Sequence, residues 1–406
     1  MSSRCFAFLL LFPALLSAQS SDVNPSDFGH PASRANLFPP TNDGIHLEMV
    51  FNYNVGDPAT ESGVVDMVWG SSYATQPANV YNSTYIPYSV DNFTNSLAWY
   101  QANHPDWLEY LCDRKTLAFE FGSTTLAPLD FANPAVQAYQ WANWVDAPLA
   151  QGFGGIAVDT MDLTNDWARC GHFDTSGAWV QQFTGQSDDA AFRKAVLGWE
   201  AATYKHVHAY SKTATMQVNV TYHFGEPNSV NLQLMTTTDL LFDERGFTNW
   251  GTAARHVSTP TEWQTIVTAL QYVQSKGLCY MTNGEEPGAS NQISQAERLW
   301  VLANYLLVKN NCTYVYVTGI ANGQQGYGSL ITFPEYSIAI GHATGTMKKK
   351  QGAWMRTFSG GLTLVNPYTA TATVTLPPGN YVDVNGNAVT SPVTLARQTG
   401  QILLLQ

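Results

Sequence analysis

The chain has little charge, little cysteine and, beyond its first twenty residues, no long apolar run. Only 12% of its 406 residues are charged, and Asp plus Glu outnumber Lys plus Arg by 31 to 19. A net charge of −12 argues against a nucleic-acid partner, because phosphate binding needs clustered cations. The only basic run, Lys348–Lys350, reads as a solvated connector. No later apolar stretch reaches the roughly 20 residues of a membrane helix, so no membrane span is expected. There is no Gly-x-Ser-x-Gly elbow, and Gly323–Gly328 lacks the Lys-Ser/Thr ending of a phosphate loop. Serine-hydrolase and nucleotide-dependent chemistry are disfavoured accordingly. None of the cysteines has zinc-site spacing, and His206-Val207-His208 falls in a helical stretch where i and i+2 do not share a face. No metal and no cofactor is expected.

The N-terminus has the pattern of a secretory signal over 1–18: Arg4, an apolar Cys5–Leu16, then small residues at Ser17–Ala18. The expected location is therefore secreted, extracellular or periplasmic, with residues 19–44 as an irregular lead-in. Four cysteines remain past that signal, enough for two disulfides. Sequons stand at Asn82, Asn92, Asn219 and Asn311.

What the chain does have is aromatic residues, 13% of the total with 12 Trp and 20 Tyr, a composition that suits a polysaccharide-handling protein. Short β-branched segments recur at His46–Tyr53, Val64–Gly70, Val80–Tyr88, Gly154–Thr160, Thr213–Val220, Asp239–Gly246, Gly277–Gly284 and Thr313–Ile320. Helical patterns fill several gaps, at Pro134–Leu149 (with Asn133 as its N-cap), Asp188–Ser211, Thr259–Lys276 and Gln295–Lys309. Strand–helix alternation with eight buried strands predicts an α/β fold, a parallel (β/α)8 TIM barrel over residues 45–346. Trp107–Cys112 competes for the place of the third strand. From 347 to 406 the pattern changes to alternating segments separated by Pro-Pro-Gly and Asn-Gly-Asn turns, which predicts a small C-terminal antiparallel β-sandwich.

Two apolar runs end abruptly in acids: GGIAVDTMD at 154–162 and DLLFDERGF at 239–247. Strand counting makes them the fourth and sixth barrel strands, whose C-terminal ends open on the catalytic face. Two carboxylates facing each other across a pocket are what glycosidic cleavage needs, one donating a proton and the other attacking the sugar or activating water. Asp243 and Glu244 are neighbours in a strand and point to opposite sides, so only one reaches the mouth. Glu244, further along, is the candidate; Asp243 points to the helix layer or pairs with Arg245. Asp159 and Glu244 are thus the expected catalytic pair. Trp69, Tyr85, Tyr88, Asp162, Asn219, Trp250, Asn283 and Glu285, at or near strand ends, are candidates for holding sugar, with Glu285 the reserve acid. Cys112 and Cys170 fall in the loops after strands three and four and are the favoured disulfide. Cys279 and Cys312, near the starts of strands seven and eight, either bond or stay as buried thiols.

Over residues 45–330 the segments HPDWLEYLCD, PLDFANPAVQAY, GFGGIAVDTMD and DLLFDERGF resemble glycoside-hydrolase-like barrels similar to endo-α-1,4-polygalactosaminidases and neighbouring putative glycosidases. The resemblance implies a polysaccharide-directed hydrolase with Asp159 and Glu244 as the matching acids. Gly155 departs from it, standing where that group often carries Asp. By analogy with retaining α-glycosidase barrels, Asp159 is expected as nucleophile and Glu244 as proton donor. The partner expected is a carbohydrate. The alternatives are a non-catalytic carbohydrate-binding protein on the same scaffold and a transglycosidase.

Overall fold

A computed structural model describes residues 36–220, 234–235, 237–248, 258–321 and 324–406. The signal-like segment, most of the lead-in and Trp250 lie outside the described residues. Eight parallel strands form the barrel: β1 Glu48–Val50, β2 Met67–Trp69, β3 Tyr81–Pro87, β4 Gly155–Asp159, β5 Thr215–Asn219, β6 Leu240–Asp243, β7 Cys279–Pro287 and β8 Thr313–Ala321. They pair in chain order, and a parallel bridge between Leu47 and Val315 brings β1 back to β8. The third strand is the 81–87 segment. Residues 105–111 instead form a 3-10 turn and a short strand, Tyr110–Leu111, outside the barrel.

The helices begin where their caps say they should. The described helices are α1 Leu97–Asn103, α2 Pro134–Gln140, α3 Ala147–Gln151, α4 Ala190–Tyr210, α5 Pro260–Ser275 and α6 Gln295–Val308. The side chain of Asn133 accepts from the amide of Ala135 ahead of Pro134. α5 and α6 each open on a full capping box, Thr259 with Glu262 and Ser294 with Glu297. A wide π turn at Trp141–Asp146 joins α2 to α3. Gly155 has a packing reason: a Cβ there would lie 2.4 Å from Thr215 Oγ1 and 2.5 Å from the Thr215 carbonyl oxygen, so β4 and β5 approach too closely for a larger residue.

Side chains of alternate residues fill the barrel. Ser83 on β3 reaches Gln217 on β5 at 3.0 Å across the intervening strand, and the Trp69 ring meets Phe242 at 5.2 Å between centroids. These contacts fix which face of each strand is inside.

The long loops after β3 and β4 are tied together. Tyr110–Leu111 pairs with Arg169–Phe173, which pairs with Trp179–Gln181. Cys112 and Cys170 are bonded there, with Cα atoms 5.1 Å apart, and Cys279 is bonded to Cys312 across β7 and β8. Arg169, fully buried, pairs with both Glu109 and Glu120. Breaking a buried ion group by removing one partner typically costs about 3–5 kcal/mol, so this contact pins the loops firmly.

From Lys348 onward an antiparallel sheet includes the strands Lys348–Lys350, Ala353–Phe358, Gly361–Asn366 and Thr399–Leu405, with Ala372–Val374 and Val393–Leu395 paired beside it. Met355, Leu364, Val374, Leu395 and Leu403 share its own core. The three lysines form an edge strand rather than a plain connector, and charge on an edge discourages pairing with other chains. The sheet packs on α6. Arg356 Nη1 donates to the carbonyls of Leu306 (3.1 Å) and Lys309 (2.6 Å), which satisfies acceptors left open at the helix C-terminus. Among the described residues no helix is long and apolar enough to cross a membrane.

Candidate active site

β5 lies between β4 and β6, and its last residue is Asn219. That placement governs the site. The Asn219 amide donates one N–H to Asp159 Oδ1 at 2.8 Å and the other to Glu244 Oε2 at 3.1 Å. One side chain therefore spans the two acids, and both of its donors are used. The sequon at Asn219 is closed to glycosylation in this fold, since the residue is 4% exposed and its nitrogen is committed.

Asp159 receives two more hydrogen bonds. Tyr85 on β3 donates its hydroxyl to Oδ2 at 3.1 Å, and the Thr160 amide donates to Oδ1 at 2.9 Å. Thr160 has φ +58°, an uncommon conformation for a β-branched residue, and this turn folds its N–H back onto the preceding carboxylate. Burial raises the Asp159 carboxyl above its ordinary range, with the Asn219, Tyr85 and Thr160 donors pulling the other way.

Glu244 lies one residue past β6. Its Oε1 accepts from Gln325 Nε2 at 3.2 Å and from the Tyr327 hydroxyl at 3.0 Å. Burial first, and the nearby Asp159 charge second, push its carboxyl up to about 7. Asp243 points the other way, as strand alternation requires. Its carboxylate accepts from Tyr280 at 2.8 Å and from the amides of Arg245 and Gly246, and it is 4% exposed.

Behind Glu244 sits a second acid. Tyr327 bonds Glu285 as well as Glu244, while Asn283 donates to the Tyr327 oxygen at 2.8 Å and to Glu285 at 3.1 Å. A phenol has one proton to give. Both of its carboxyl contacts are hydrogen bonds only if one of the two acids carries a proton of its own. Burial, with the Glu244 charge beside it, raises Glu285 to about 8, which favours the neutral form there.

The other sugar-binding candidates divide. Asp162 is half-buried past β4, its carboxyl raised to about 7 by burial and by the charges of Asp166 and Asp159. Trp69 does not reach the mouth: it is 1% exposed beneath Phe51 and Tyr85. Tyr88 faces away from the barrel interior, packed on Phe131 and on Trp199 of α4, because it stands three positions, an odd offset, from the inward Tyr85. Trp250 lies outside the described residues. His206 and His208 bond separate acids, Asp146 and Asp239, so the two histidines do not converge.

Tyr327 and Gln325 were not anticipated. Gln325 ends a strand, Gln324–Gln325, that turns back antiparallel to β8, and Tyr327 lies two residues past it. Their only mark in the sequence is a Gly-rich run containing a tyrosine.

The model of a family described as hypothetical glycosyl hydrolase family 15 matches residues 71–362. No curated protein matches the chain. Among solved structures, a family GH13_31 enzyme covers 90% of this chain and 99% of its own at 9% identity, with a TM-score of 0.54, a likeness of fold. The glycoside hydrolase domain of PelA from Pseudomonas aeruginosa covers 68% of this chain and 94% of its own at 14% identity, with a TM-score of 0.44. A noncanonic maltogenic α-amylase, AmyB from Thermotoga neapolitana, covers 89% and 99% at 10% identity, with a TM-score of 0.45. With its match spanning well over half its length and ending inside the first strands of the C-terminal sheet, this chain belongs to hypothetical glycosyl hydrolase family 15.

Proposed function

We propose that the protein hydrolyses O-glycosidic bonds of a poly- or oligosaccharide with Asp159 as nucleophile and Glu244 as general acid and base. The observation that carries this reading is the shared donor. Two carboxylate oxygens held by one amide nitrogen at 2.8 and 3.1 Å lie no more than about 6 Å apart, near the roughly 5–5.5 Å of retaining glycosidases. Asp159, with three donors on its oxygens, is suited to act as an anion. Glu244, raised to about 7 by burial and by the Asp159 charge, is suited to give a proton up.

In the first step Glu244 protonates the leaving oxygen as the Asp159 carboxylate bonds to the anomeric carbon and the glycosidic C–O bond breaks. In the second, the Glu244 carboxylate takes a proton from water, whose oxygen displaces Asp159 and restores both groups. Two inversions give net retention. The proposal extends to α-linked substrates on the acid placement at β4 and β6 and the C-terminal β domain, a layout argued from analogy of fold.

The test is sugar release from a broad panel of α- and β-linked glycans, with the anomer first formed read by proton NMR. Release with retained configuration from an α-linked glycan supports the reading. Inversion contradicts the nucleophile. Silence of the folded wild type across the panel, with measurable glycan affinity, replaces the enzyme by a binding protein.

A further inference from the structure

From Gly70 to Val80 the chain passes between β2 and β3 without a helix, so the outer layer of the barrel is open there. The opening forms a cleft of about 410 Å3 whose walls include Phe51, Tyr53, Ser72, Tyr85, Phe93 and Trp144. No Lys, Arg, Asp or Glu lines it.

Two of its rings stand in water: Tyr53 is 56% exposed and Phe93 55%. Neither is loosely attached. Phe93 meets Tyr85 edge-on at 5.8 Å, and Tyr53 packs against Phe51 at 5.9 Å. The Tyr53 ring lies against Gly328, where a Cβ would come within 2.4 Å of it. Phe51 is the hub of the cluster. It has φ +56°, rare for a bulky residue, and its ring fills the space that a side chain at Gly70 would need, 2.6 Å from the Cβ position. Its ring also meets Tyr85 edge-on at 5.3 Å. Tyr85 in turn donates to Asp159. A continuous aromatic wall thus runs from the open flank of the barrel to the acid pair.

Large apolar faces fixed in solvent beside a site are surfaces waiting for a ligand. The ligand face that suits them is the C–H face of a pyranose ring. The exposed hydroxyls of Ser72 and Thr94 and the amide of Asn143, on the same walls, suit its hydroxyl edge. Resting on the reading that Asp159 and Glu244 cleave a glycan, we propose that this cleft binds uncharged sugar units of the substrate chain next to the unit being cleaved, with Tyr53 and Phe93 as stacking platforms. The protein then selects for chain length: several rings in a row bind where one ring alone binds poorly.

The experiment measures binding of uncharged α- and β-linked oligosaccharides of one to six rings to the Asp159→Asn protein by titration calorimetry. The expected result is affinity that rises at least tenfold between one ring and four. Tyr53→Ala and Phe93→Ala in that background should each cut the ratio of long-chain to single-ring affinity about tenfold, and Tyr53→Trp and Phe93→Tyr should restore it. An unchanged ratio in both alanine variants overturns the proposal, as does affinity independent of length or no binding by any oligosaccharide. The two readings fail separately. Length-dependent binding without sugar release by the wild type leaves the cleft and removes the catalysis. Release by the wild type with an unchanged ratio in the variants does the reverse.

Discussion

The ends of β4 and β6 both bear a carboxylate at the barrel mouth, each buried and each accepting three hydrogen bonds, but the donors differ. Asp159 is surrounded by donors: a backbone N–H supplied by the left-handed turn at Thr160, the Tyr85 hydroxyl and the Asn219 amide. Glu244 shares that amide and accepts from Gln325 as well, but its third donor is a tyrosine also bonded to a second acid, Glu285. Donors on Asp159 favour its charge against burial, while burial and the Asp159 charge together favour the proton on Glu244. On the proposed mechanism, similar residues on alternate strands take different steps.

The largest expected effect breaks the pair outright. Asp159→Asn and Glu244→Gln keep shape and remove the carboxylate, and each should lower sugar release by roughly 10³-fold or more, the upper part of what acid–base and nucleophilic groups contribute. The comparison predicts that they differ on a nitrophenyl glycoside, whose leaving group needs no proton. There Glu244→Gln should still show a burst of nitrophenol from the first step, and Asp159→Asn should show none. Equal silence from both would remove the distinction.

Asn219→Ala takes the shared donor from both acids. Hydrogen bonds to charged groups contribute about 1.5–3 kcal/mol, so kcat/KM should fall roughly 10- to 100-fold with the melting temperature little changed. A loss confined to stability would make Asn219 a packing residue.

The pH profile probes the asymmetry more gently. The proposed mechanism needs Asp159 ionised and Glu244 protonated, so kcat/KM should be greatest in mildly acidic solution and fall as pH rises past about 7, where Glu244 loses its proton. The Tyr327 hydrogen bond holds the Glu244 carboxyl lower than burial alone would, so Tyr327→Phe should move the alkaline limb upward. Movement downward, or none, would contradict the place given to Tyr327.

A buried acid outside the mouth gives the smallest effect and serves as contrast. Glu286, on the helix-facing side of β7, has no hydrogen-bond partner among the described residues, and burial with the Glu297 charge raises it to about 9. A carboxyl raised on folding stabilises the protein in full below its unfolded value of about 4.5, and that contribution is lost as pH rises toward 9. Thermal melts should show the wild type losing stability across that window, with Glu286→Gln losing less of it.

Much of this was legible from local pattern. Eight apolar runs marked the eight strands because buried parallel strands read as continuous hydrophobic segments, and the start of α2 was marked by Asn133 ahead of Pro134. Period-two alternation separates Glu244 from Asp243 in the sequence itself. The same rule, applied to Tyr85 and Tyr88 together, should have separated them too: three positions apart on one strand, they cannot both face inward. Tyr327 and Arg169 were beyond local reading. Each owes its role to partners more than forty residues away, Glu244 and Glu285 for one, Glu109 and Glu120 for the other, and no short-range pattern carries such a meeting. The aromatic cleft was hidden because it arises from a helix that is missing between β2 and β3, so that ordinary core-forming residue types end on an open flank.

The most direct measurement is mass spectrometric analysis of the protein after reaction with a 2-deoxy-2-fluoro glycosyl fluoride of the sugar that the wild type releases. The account predicts a covalent sugar on the peptide containing Asp159, stable enough to isolate and missing in Asp159→Asn. A label on Glu244 instead, or full turnover of that sugar's glycosides with inversion and no label on either acid, would contradict it.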